Sequence, residues 1–194
     1  MISARAVEKR YGRKRALWPV DFELERGSFL VVTGPNGSGK TTLLRLLAGL
    51  AAPSRGDLDV DVERGRLGYL GHEALLYRGL TALENLDLYG RLYRVSERHE
   101  RIGMLLERFG LWEARGERAG SLSRGMLQRL ALCRTLLHDP DLLVLDEPFT
   151  ALDAAGAELL DRQLAELREA RTVVLSTHDL ARVEHLSSDR LALA

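Results

Sequence analysis

Residues 34–42 read GPNGSGKTT. The first eight match G-x-x-x-x-G-K-[ST] in full. They follow the apolar run SFLVVTG (28–34) and open KTTLLRLLAGL (40–50), whose leucines recur at helical spacing. A Gly-rich turn between a strand and a helix is the setting in which this spacing cradles phosphate. Glycines let the backbone wrap the oxygens, and the free N–H groups and dipole of the following helix favour an anion. Gly34, Pro35, Asn36, Gly37, Ser38, Gly39, Lys40, Thr41 and Thr42 are therefore the expected phosphate-binding set. Lys40 is expected to reach the β- and γ-phosphates, and the Thr41 hydroxyl to ligate Mg²⁺.

Two further runs, DLLVLDE (141–147) and RTVVLSTH (171–178), are nearly continuous in Leu and Val. Such runs suit a parallel sheet covered on both faces. All three end in polar residues. In an open α/β sheet the ligand binds at the carboxyl ends of the strands, so those residues should converge. Shorter β-like pieces lie near 2–7, 20–24, 58–62 and 66–70. The middle of the chain is different. TALENLDLYGRLY (81–93) opens with Thr81 and Glu84 in capping-box spacing. SERHERIGMLLERFG (96–110) places Ile102, Leu105, Leu106 and Phe109 on one helical face, and RGMLQRLALCRTLLHD (124–139) continues the pattern. The reading is one domain over 1–194. Its α/β core spans about 1–72 and 131–194, with a mainly helical lobe inserted at about 73–130. A last helix is expected near 154–170, before the strand at 171–176.

Composition narrows the partners. Forty-five per cent hydrophobic residues suffice for a sizeable core. Lys+Arg and Asp+Glu are equal at 28 each, so nothing in the balance argues for nucleic acid, and no such partner is expected. The single cysteine, Cys133, rules out an intrachain disulfide and reads as a small core residue, which suits a reducing compartment. MISARAVEKRYGRKR lacks the apolar stretch of a secretory signal, and no run approaches the roughly 20 apolar residues of a membrane span. Action at a membrane would have to pass through another chain.

The polar strand ends carry the chemistry. Asp146 closes a buried run, where a carboxylate is costly unless paired or metal-bound, and it is the natural Mg²⁺ partner. Glu147, next to it, is placed as general base for water attacking the γ-phosphate. His178 ends the third run and is expected to contact that phosphate. A second anion site is also visible. In SLSRGMLQRLAL (121–132), Ser123 and Gly125 stand at a helix N-terminus.

The ordered elements GPNGSGKTT, LSRGM, LLVLDEP, ALD and STHD resemble the ATP-binding cassette (ABC) ATPases over essentially the whole chain. The resemblance implies a P-loop NTPase, ABC-type core that hydrolyses ATP with Mg²⁺. It also explains the second anion site. LSRGM (122–126) corresponds to the signature loop, so Ser123 and Gly125 would face the ATP of a second copy in an ATP-dependent homodimer. By the same resemblance Tyr11 would stack on adenine, Asp153 in TALD (150–153) would lie on the loop crossing the dimer seam, and His178 would be the switch histidine. Two positions depart from the pattern. His72 stands where the family usually has a Gln that touches the γ-phosphate region and meets the membrane subunit. Met126 stands where the signature usually has Gln.

Within the family, YLGHEALLYRGLTALENLDLYGRLY (69–93) and EPFTALD (147–153) are most similar to the ATPase of the haem exporter of cytochrome c maturation. That branch implies separate transmembrane permease subunits and a peripheral place on the cytoplasmic face of the inner membrane. Another small-molecule or lipid exporter ATPase is the alternative. A soluble ABC protein of translation or DNA repair would usually bring two cassettes or a long coiled coil, and a P-loop kinase would have no use for LSRGM or EPFTALD.

Overall fold

The three apolar runs form the centre of a five-stranded parallel sheet. They are β3 (Phe29–Thr33), β6 (Leu142–Asp146) and β7 (Thr172–Ser176). With β5 (Leu67–Leu70) and β8 (Asp189–Ala192) the order is β5-β6-β7-β3-β8, every pair parallel. The protein is described by a computed structural model over residues 1–168 and 170–194. The apolar continuity has a direct cause. Successive side chains of a strand point to opposite faces. In β6, Leu143 and Leu145 enter one core while Leu142 and Val144 enter the other. In β7, Val173 and Leu175 face one side and Val174 the other. Each such buried side chain contributes about 1.5–3 kcal/mol relative to exposure.

A three-stranded antiparallel sheet, β2-β1-β4, lies apart from it, made of β1 (Ile2–Tyr11), β2 (Lys14–Leu24) and β4 (Arg55–Val60). Between the sheets sits α1 (Lys40–Leu47), which packs on β2, β6 and β7. On the other face α2 (Ala82–Leu92), α3 (Arg98–Arg108) and α4 (Arg124–Leu136) pack against one another. Residue 130, near which the helical lobe was expected to end, lies inside α4, and α4 also packs on β5. The capping box of α2 is present: Thr81 Oγ1 accepts from Glu84 N at 3.1 Å and Glu84 Oε2 accepts from Thr81 N at 2.8 Å. The chain continues through α5 (Ala154–Arg168), β7, α6 (Leu180–Val183) and β8.

At the amino edge of the parallel sheet, Asp141 accepts from Arg66 at 2.6 and 3.0 Å and from Arg171 at 3.3 Å, tying together the starts of β5, β6 and β7. The Arg66 guanidinium holds this carboxyl below its usual range, against the opposing pull of burial. Cys133 is fully buried, and burial pushes its thiol far up, as a core residue requires. Among the described residues no helix is long and apolar enough to cross a membrane.

Register delivers the functional edge. Leu70 pairs with Leu145, Asp146 with Ser176, and Val32 with Ser176. Parallel strands therefore release Gly34, His72, Glu147 and His178 at one carboxyl edge.

Candidate functional site

The loop after β3 is shaped by its glycines. Gly39, at φ +105°, caps α1, and a Cβ there would sit 2.5 Å from Ala16 O of β2. Gly34, at φ +146°, leaves no room either, because a Cβ would lie 2.5 Å from Leu193 O. Glycine is thus required by both conformation and contact. Lys40 is nearly buried, and its Nζ donates to Gly34 O at 2.8 Å and to Pro35 O at 3.4 Å. The ammonium holds the loop curled around itself, at the N-terminus of α1 where an anion is favoured.

Opposite this loop stands the head of β6. Asp146 is 3% exposed. Its Oδ1 accepts from Ser176 Oγ at 2.7 Å, while its Oδ2 is buried with no hydrogen-bond partner. An ionised carboxylate with one orphaned buried oxygen suits a cation beside it. Among the described residues no group of three or more His, Cys, Asp or Glu could hold a metal by itself. Asp146 with the Thr41 hydroxyl fits Mg²⁺, which takes few protein ligands and completes its shell with phosphate and water.

Glu147 adopts a left-handed backbone at φ +49°. For a non-glycine residue this conformation is uncommon and costs roughly 1–3 kcal/mol, and such strain clusters at functional sites. Its N–H donates to Ser176 O at 3.2 Å and Ser176 Oγ at 3.0 Å. Its Oε1 lies 3.0 Å from His178 Nε2 without hydrogen-bond geometry, and it is buried without a partner. That oxygen is committed to no hydrogen bond among the described residues.

A cavity of about 440 Å³ joins these groups. Its walls include Asn36, Gly37, Gly39, Lys40, Thr41, Thr42, His72, Asp146, Glu147 and His178. Sequence separations above 100 residues thus close into one cleft. Gly34, Pro35 and Ser38 belong to the loop but not to the cavity wall. Tyr11 is half exposed at the end of β1 and is not on the wall, whereas Lys14, Arg15 and Ala16 of the adjoining strand are.

Ser123, Gly125 and Asp153 stand outside this cavity. Ser123 caps α4, its Oγ accepting from Met126 N at 3.2 Å. Asp153 accepts from Gly156 N at 2.8 Å at the start of α5. Gly125 lies close to Ala151, whose carbonyl would be 3.1 Å from an added Cβ. His72 also lines a second cavity of about 690 Å³ beside the first, with Leu75, Tyr77, Arg78, Arg124, Gln128 and Glu147 among its walls. The residue that sequence reasoning missed is Ser176. Its only signal is a small polar side chain ending an apolar run beside the strand that carries Asp146.

Residues 17–150 match the family described as ABC transporter. The chain is 37% identical over 204 residues to the ABC transporter ATP-binding protein NatA of Bacillus subtilis, covering 96% of this chain and 82% of that protein. It is 39% identical over 204 residues to the daunorubicin resistance ATP-binding protein DrrA3 of Streptomyces coeruleorubidus, covering 99% of this chain but only 64% of the relative. It superposes with a TM-score of 0.89 and 29% identity on an ATP-binding cassette solved as a dimer in a post-hydrolysis state with ADP and Pi, covering 100% of this chain and 94% of that one.

Proposed function

The chain belongs to the ABC transporter family of ATP-binding subunits, and from that premise we propose that it hydrolyses ATP to power a membrane exporter. The observation that carries the proposal is the head of β6: a buried Asp146 with one orphaned oxygen, and beside it Glu147, which lines the same cleft as Lys40 and Thr41. Lys40 and the loop around it bind the β- and γ-phosphates, with Gly34, Pro35, Asn36, Gly37, Ser38, Gly39 and Thr42 supplying the cradle. Asp146 and Thr41 would hold Mg²⁺, which would neutralise phosphate charge. Glu147 accepts a proton from the attacking water as its oxygen bonds to the γ-phosphorus and the bond to ADP breaks. His178, 3.0 Å from that carboxylate, contacts the γ-phosphate.

The proposed partner at the N-terminus of α4 is a second copy of the chain. By the resemblance to the ABC ATPases, Ser123 and Gly125, which stand at a helix start outside their own chain's cleft, meet the ATP of the second copy, so that two chains complete two sites between them. The relative solved as a dimer with ADP and Pi supports this reading. Tyr11 stacks on adenine from the hairpin beside the cleft, and Asp153 reaches the seam. ATP held from both sides favours the closed dimer only through its greater affinity for that state, and hydrolysis removes the preference.

Transmembrane permease subunits are the proposed partners, met through His72 and the residues that follow along the 690 Å³ cavity. The chain then sits peripherally on the cytoplasmic face of the inner membrane, with no nucleic-acid partner. Export is supported by a relative named for it, the Nod factor export ATP-binding protein I of Burkholderia lata, 36% identical over 204 residues. The finer assignment, a haem-exporter-like system of cytochrome c biogenesis, rests on residues 69–93 and 147–153 alone, and the relatives reported above carry other names. Phosphate release from ATP by the purified chain tests the core of the proposal. Release that needs Mg²⁺ and is lost in Lys40→Ala supports it, and a chain that binds no ATP overturns it.

A further inference from the structure

The segments that follow β6 and β7 are held together by one side chain outside the phosphate cleft. Arg182, in the four-residue helix α6, donates from Nη1 to Asp161 Oδ2 of α5 at 2.8 Å. Its Nε lies 3.7 Å from Asp179 Oδ2, and its guanidinium sits over the Phe149 ring, 5.3 Å from the centroid. Asp179 follows His178 directly, and its Oδ1 accepts from Arg182 N at 3.3 Å. Phe149 stands two residues after Glu147, and Asp161 lies on the helix that Asp153 starts. Glu147, Phe149, Asp153, His178, Asp179 and Arg182 share a cavity of about 380 Å³. One guanidinium thus touches the Glu147 turn, the His178 turn and the helix that begins at the expected dimer seam.

We propose that Arg182 is a positioning residue for hydrolysis, a latch that sets the His178 turn against Glu147 and ties both to α5. The proposal rests on the assignment of Glu147 as general base. A four-residue helix cannot hold its own place, because helix formation is cooperative and short helices are marginal in water. The location of the His178 turn is therefore set by what α6 touches: Val183 is buried in the core, and Arg182 supplies the ionic contact to α5. A planar guanidinium can pair with carboxylates and stack on a ring at once, which an ammonium does less well. Arg182 is absent from the wall of the phosphate cleft, so nucleotide binding does not pass through it.

The test measures ATP affinity and kcat separately. Arg182→Met alone would leave Asp161, whose Oδ1 is buried without a partner, with no counter-charge and a risk of misfolding. The informative variants are therefore the Arg182→Met/Asp161→Asn double variant and Arg182→Lys, each compared with Glu147→Gln. The double variant should bind ATP within about twofold of wild type while kcat falls about tenfold or more, since small displacements of a catalytic pair are costly. Arg182→Lys should recover part of that loss. A double variant with kcat within about twofold of wild type, while Glu147→Gln is inactive, overturns the latch alone. Parallel losses of ATP affinity, kcat and Tm also overturn it, because they mark a structural role only. Turnover retained in Glu147→Gln overturns the assignment of the base, and the latch with it.

Discussion

Ser176 Oγ lies 2.7 Å from Asp146 Oδ1 and 3.0 Å from Glu147 N, so one fully buried hydroxyl orients both residues at the head of β6. Its proton goes to the carboxylate and its lone pair receives the backbone N–H. Ser176→Ala removes a charge-assisted hydrogen bond in a dry setting, worth roughly 1.5–3 kcal/mol. For a chain of this size the expected drop in Tm is several degrees, at about 2–4 °C per kcal/mol. Thermal unfolding of the two proteins checks it, and an unchanged Tm would deny the hydroxyl its role.

The part of the site legible in the sequence is the part written in backbone. GPNGSGKTT announces its loop because glycines at 34 and 39 are forced by close approach, and β3, β6 and β7 announce themselves because both faces are buried. Ser176 was not legible, since its role depends on register with Asp146 across two strands. Nor were α6 and β8. Four-residue elements carry no period, and β8 is an edge strand held to β3 by backbone pairing, with mostly exposed side chains. Arg134 falls within a helical pattern in the sequence, yet it is buried, its Nη2 donating to Tyr69 O at 2.9 Å and its guanidinium 5.4 Å from the Tyr89 ring centroid. In sequence it is indistinguishable from an exposed arginine. Asn85 is similar: it is buried and fastens residues 77–81 through four hydrogen bonds, which helical spacing alone does not reveal.

Acid stability should be limited in part by His138. Its Nε2 meets Leu67 O at 3.0 Å, so in the neutral ring that nitrogen carries the proton and Nδ1, buried without a partner, carries none. Burial lowers its pKa from the ordinary value of 6.5, and the ring stacks on Tyr93 at 4.2 Å. The unfolded chain then takes up the proton at higher pH than the folded one. The stabilisation is complete above about pH 6.5 and is lost as pH falls through the lowered folded value. Tm measured from pH 7.5 down to 5 should fall more steeply in wild type than in His138→Gln. Parallel curves would contradict this.

Sharing of sites between two chains predicts complementation. Lys40→Ala should weaken ATP binding, because the ammonium that holds the loop and meets the phosphates is gone. Ser123→Arg should leave ATP binding to the isolated chain intact and abolish cooperative hydrolysis. It should also cost about 1 kcal/mol of stability through loss of the α4 cap. Mixing the two variants places both lesions in one composite site and leaves the other whole. Some activity should return. A mixture that forms heterodimers yet stays inactive would contradict independent shared sites.

Glu147→Gln is the most direct test of the account, because it removes the base while keeping the shape of the side chain. Turnover should drop roughly 10²–10⁴-fold, the usual contribution of a positioned base. ATP binding should persist, since Lys40 and its loop are untouched. The bridge between two chains through ATP would then outlast its normal lifetime. Size-exclusion chromatography with ATP and Mg²⁺, run beside a phosphate-release assay, should show the variant as an inactive dimer. A variant that stays monomeric at high concentration, or hydrolyses ATP at the wild-type rate, would contradict the account.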